Sequence, residues 1–220
     1  MKPREVTRSG ALPRGVRVAA ALCLVLSSVT GFIACNEAST MMNFEAYREA
    51  QREHAPSLPL LGRDPAVTRA IMEAQLSALS PMRESRALVL TGLSVACTLL
   101  FFASSRMLRS PDGIPRNGFR QVLGGAGIFA ALLRTIDGAQ AAVVARNTSQ
   151  AMIEGLKGLP EFQAPDAAEQ LHALVPSLMT FGAVVPTVIV AGGFAVLAQY
   201  FRSEGVRDAI VTLDGPTEDP

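Results

Sequence analysis

Four stretches of this chain, residues 18–35, 87–104, 121–145 and 178–201, are dominated by apolar residues. A helix that crosses a bilayer needs about 20 such residues, because the hydrocarbon core is about 30 Å thick and each helical residue rises about 1.5 Å. Three of the runs contain no charged residue, whereas 121–145 contains Arg134 and Asp137. Too little of the 220 residues is left for a sizeable soluble core. The fold class expected is all-α: an integral membrane helical bundle with four transmembrane helices as two hairpins, or three spans if 121–145 stays outside the membrane.

Hydropathy does not decide the disputed run. A charge at a helix centre costs about 2.5–3.5 kcal/mol on the insertion scale. The nine Val, Leu, Ile and Phe residues of 121–145 return about 3–5 kcal/mol together. Helical geometry is more informative. At 100° per residue, the face centred on Arg134 gathers Gly124, Gly127, Ala130, Ala131, Asp137, Gly138, Ala141, Ala142 and Ala145. Ile128, Phe129, Leu132, Ile136 and Val143 fall opposite. A soluble amphipathic helix would carry Lys, Glu and Gln on its polar face. Gly and Ala there suit close approach of membrane helices, and intramembrane charges usually face the bundle interior. Arg134 and Asp137 are i, i+3 neighbours within reach of one another, in the less favourable order of base before acid.

The distribution of basic residues gives an independent reading. With four spans, the pieces 1–17, 105–120 and 202–220 carry eleven Lys and Arg, while the loops 37–86 and 147–177, with Arg146 at their boundary, carry eight over a longer length. Basic residues concentrate on the cytoplasmic side, so both termini are expected there. A three-span chain would leave Arg202 and Arg207 outside. The expected organisation is a cytoplasmic tail 1–17, a first span or signal-anchor 18–35, an outer helical loop 37–86, a second span 87–104, a cytoplasmic linker 105–120, a third span 121–145, a second outer helical loop 147–177, a fourth span 178–201 and an acidic cytoplasmic tail 202–220.

Five basic residues precede the first run, as in a secretory signal. The stretch ending FIAC at 32–35 leaves three readings open: an uncleaved signal-anchor, lipid attachment at Cys35, or ordinary cleavage. All three put Asn36 onward outside the cytoplasm. Arg outnumbers Lys eighteen to two, which reads as the codon bias of a GC-rich bacterial genome and places the protein in a bacterial inner membrane.

QLSALSP at 75–81 and QLHALVP at 170–176 each stand before a returning span. Each reads as an outer helix that a proline stops, since proline removes an N–H and restricts the residue before it. Residues 41–54 read as an amphipathic helix with Met41, Phe44 and Tyr47 on one side.

Chemistry is sparse. No P-loop, GxSxG, HExxH or dinucleotide fingerprint is present, and GGAG at 124–127 suits helix packing better than phosphate. Neither catalytic residues, nor cofactor, nor metal ligands are expected; His54 and His172 lack ligand spacing. A net charge of +1 points to no nucleic-acid partner. The expected partners are the lipid bilayer and either a second copy or another membrane protein. The leading expectation is a non-enzymatic accessory or interaction protein. Alternatives are a small oligomeric transporter or channel subunit using Arg134, Asp137 and a helix kink at Pro186, and a lipoprotein acylated at Cys35. Thr91, Ser94 and Thr98 are the hydroxyls expected to meet the charged pair.

Overall fold

A computed structural model describes residues 12–53, 65–109, 115–157 and 165–214. Those residues form seven α-helices and no strand: α1 (Arg14–Met42), α2 (Phe44–Glu53), α3 (Pro65–Leu79), α4 (Arg83–Leu108), α5 (Arg116–Lys157), α6 (Pro165–Arg202) and α7 (Glu204–Asp214). Four helical runs are long and apolar enough to cross a membrane: Arg14–Met42, Val67–Leu108, Arg116–Lys157 and Glu169–Arg202. The disputed third run is therefore one long helix of spanning character. The 42 residues of α5 extend about 63 Å, twice the hydrocarbon thickness, so its apolar part occupies only a portion of it.

The side chains sort as a lipid environment requires. On α5, Phe129, Leu132, Ile136 and Val143 are exposed, whereas Leu123, Ala130, Asp137 and Val144 are buried. On α1, Val18, Leu22, Val25, Val29 and Phe32 form an exposed stripe, and the small residues Ala19, Ala20, Cys23, Ser27, Thr30 and Ala34 turn inward. Inward residues recur at three and four positions on α4 as well: Leu90, Leu93, Cys97, Leu100, Ser104 and Met107. That spacing keeps one seam of a helix against its neighbours.

Two compact units divide these helices. The first takes α1 up to Ala34, α4 from Gly92, α5 up to Leu132, α6 from Val190, and α7. Its packing depends on close backbone approach. A Cβ added at Gly127 would stand 2.8 Å from the Cβ of Ala198, and one at Gly31 would stand 2.9 Å from that of Cys97. Phe194, Phe201 and Leu100 are fully buried in it. Within the expected tail 202–220, residues 204–214 form the helix α7, with Val206 and Ile210 buried. Asp214 accepts a hydrogen bond from the backbone N–H of Asn117 (3.1 Å) at the start of α5, satisfying one of the N–H groups a helix start leaves open. The buried Arg120 donates through Nη1 to the carbonyl of Phe201 and through Nε to Asn117 Oδ1, both at 2.9 Å. A cation is thereby placed on the terminal carbonyls of α6, where it is favourable. Residues 215–220, the remainder of that tail, lie outside the described residues.

The second unit takes α1 from Cys35, α2, α3, α4 up to Thr91, α5 from Leu133, and α6 up to Ile189. The single amphipathic helix expected over 41–54 is divided at Asn43 between α1 and α2. Met41 and Phe44 are buried, Tyr47 is half-buried and His54 lies outside the described residues. Exposed ion pairs join Arg48 to Glu73 and Arg83 to Glu45 at 3.9 and 3.7 Å. Ile153, Leu171 and Val175 form a small apolar cluster.

The heptapeptides do not behave alike. After Leu79 the chain makes a single 3₁₀ turn, Ser80–Met82, and resumes as α4. At the second copy α6 continues without interruption through Pro176 and Pro186. The expectation of a helix stop at Pro176 is thus corrected. One residue beyond each proline a hydroxyl bonds back to the carbonyl four residues earlier: Ser177 Oγ donates to Ala173 O (3.0 Å) and Thr187 Oγ1 to Ala183 O (2.9 Å).

Candidate functional site: a buried charge network

Asp137 lies on the inward face of α5, and its carboxylate is 1% exposed. Directly beside it Gly138 lies against Thr187 so closely that an added Cβ would collide with the threonine side chain. Arg134, one turn earlier, donates from Nη1 to Asp137 Oδ2. The two residues singled out by sequence therefore do pair.

The pair is not self-contained. Arg86, at the start of α4, places Nη2 3.1 Å from Asp137 Oδ1 and donates from the same nitrogen to Glu37 Oε2 of α1, also at 3.1 Å. The contact with Asp137 Oδ1 has ion-pair distance without hydrogen-bond alignment. The side chain of Arg86 is 11% exposed and that of Glu37 40%. Two cations and two anions from three helices thus form a quartet with no net charge. Leaving one of them unpaired in a low-dielectric setting would be costly.

Other sequence expectations fall elsewhere. Thr91 and Thr98 donate to carbonyls of their own helix, Ala87 O at 2.8 Å and Ser94 O at 2.9 Å, and do not meet the charged residues. Pro186 is on the exposed side of α6, and it is its neighbour Thr187 that turns inward. Cys35 is exposed within α1, whereas Cys23 and Cys97 are buried. His172 is exposed, and His54 lies outside the described residues. Among the described residues no group of three His, Cys, Asp or Glu stands together as metal ligands.

Sequence reasoning missed Glu37 and Arg86 because it assigned both to an outer loop. Their positions carried a signal: Glu37 lies two residues beyond one apolar run and Arg86 one residue before another. A long side chain at such an edge can lay its stem along apolar surface and carry its head to a polar partner.

An open groove of about 520 Å³ adjoins the quartet. Glu37, Thr40, Tyr47, Gln75, Arg86 and Thr148 line it with polar atoms, and Met41, Leu79, Val144 and Met179 with apolar ones.

No protein-family model, curated protein or solved structure matches this chain. Function is read from the geometry.

Proposed function

We propose that this is a four-span, non-enzymatic protein of a bacterial inner membrane, with both termini cytoplasmic, acting as an accessory or interaction partner of another membrane protein or of a second copy. The observation that carries the reading is Asp137, buried with one arginine against each carboxylate oxygen. A quartet already neutral within itself supports a structural lock, because no uncompensated charge remains to attract a transported ion. The outward position of Pro186 supports the same reading over a gate built on that residue.

The test is the paired substitution Arg134→Gln with Asp137→Asn. A lock predicts loss of monodisperse protein in detergent for each single variant and partial recovery in the pair. Full assembly of all three variants, with a solute flux abolished, would sink the lock in favour of transport. Reporter fusions at Pro220 test the threading separately, and a periplasmic C-terminus would refute four spans. The intact mass of the mature chain, with and without Cys35→Ser, distinguishes the uncleaved anchor proposed here from a lipoprotein.

A further inference from the structure

The groove beside the quartet places two opposite charges next to each other, and each has unused polar atoms. Arg86 makes both of its contacts through Nη2, so among the described residues Nε and Nη1 have no partner. Glu37 accepts through Oε2, which leaves Oε1 on a side chain that is 40% exposed. A guanidinium held from behind by Asp137 still has Nε–H and Nη1–H as separate donors, and either can meet an oxyanion. The carboxylate beside it offers an acceptor to an ammonium group. A lone anion would be repelled by Glu37 and a lone cation by Arg86, so the complementary ligand carries both charges.

The level of the groove narrows the ligand further. Glu37, Arg86 and the groove residue Ala145 stand at the edges of three different apolar runs. Headgroups meet hydrocarbon at that depth. Met41, Val144 and Met179 supply apolar lining beside the charges, and methionine adapts to irregular chains. A volume of about 520 Å³ lies in the range of small-molecule sites.

We infer that the groove lined chiefly by α1, α3 and α5, with Arg86 of α4, seats the headgroup of a zwitterionic phospholipid that bears a primary amine, its phosphate on Arg86 and its ammonium on Glu37. No covalent step is involved. The inference does not depend on the direction in which the spans are threaded.

Native mass spectrometry of the full chain, released from detergent with equimolar phosphatidylethanolamine and phosphatidylglycerol, tests it. One phosphatidylethanolamine should be retained, preferred by about fivefold, the factor that a partly exposed ion pair is worth. Glu37→Gln should reverse the preference towards the anionic lipid. Ala145→Phe, which fills the groove while leaving the quartet intact, should lose both adducts. Equal retention of the two lipids, or unchanged binding in Ala145→Phe, overturns the site. Displacement of the lipid by soluble phosphoethanolamine alone would overturn the assignment to a lipid and leave a small zwitterion in its place.

Discussion

The two parts of α5 meet their neighbours by opposite means. In the first unit Gly124, Gly127 and Ala130 let other backbones come close by having almost no side chain. In the second unit Asp137 pairs with Arg134 of its own helix and binds Arg86 of α4 through charge. Close packing gains many small contacts and loses about 1–3 kcal/mol when added atoms force neighbours apart. An ion network confers strength only while it is complete, and failure of one member strands the others. One helix thus carries a tolerant seam and an intolerant one.

The largest predicted effect attacks the intolerant seam. Asp137→Ala strands Arg134 and leaves the buried Arg86 with Glu37 alone, and should lower stability by about 3–5 kcal/mol, read as lost thermal stability of the detergent-solubilised protein. Gly127→Val, which drives a branched side chain into Ala198, should cost about 1–3 kcal/mol in the same assay. If Gly127→Val proves the more damaging of the two, the contrast between the seams is wrong. Asp214→Ala removes the acceptor at the start of α5 and should cost about 1 kcal/mol, measurable as earlier hydrogen exchange at Asn117. The smallest effect is expected at Gly125, which faces open space. Gly125→Ala should stabilise by no more than about 1 kcal/mol, and an appreciable loss there would mean that its face is covered in the membrane by a partner.

Much of this architecture was legible because lipid imposes simple rules. Run length specified four long helices, and the placement of Gly and Ala around Arg134 picked out the inward face of α5. What could not be read was the number of partners at Asp137. The order of residues gives the spacing of Arg134, but the meeting of Glu37 and Arg86 across 49 positions depends on how helices pack. The heptapeptides show the same limit. Leu76 and Leu171 are both buried, yet Leu79 is 7% exposed and its counterpart Leu174 55%. A 3₁₀ turn follows the first copy, whereas an unbroken helix carries the second onward and turns Val175 inward instead. Matching letters therefore do not take matching places, because a helix assigns its faces by angle and continuity. Helix α7 was overlooked although the sequence carried its signal, since Val206 and Ile210, four apart, form its buried side.

The chain order of the quartet bears on how the protein is made. Glu37, Arg86 and Arg134 all precede Asp137 in the sequence, and synthesis runs from the N-terminus. When the weakly apolar third segment leaves the ribosome, the earlier helix whose Arg86 neutralises its acid has already emerged, as has the Glu37 that pairs with Arg86. Insertion of α5 can thus be assisted by its own predecessors, so a defect at Arg86 would surface first as a misthreaded nascent chain.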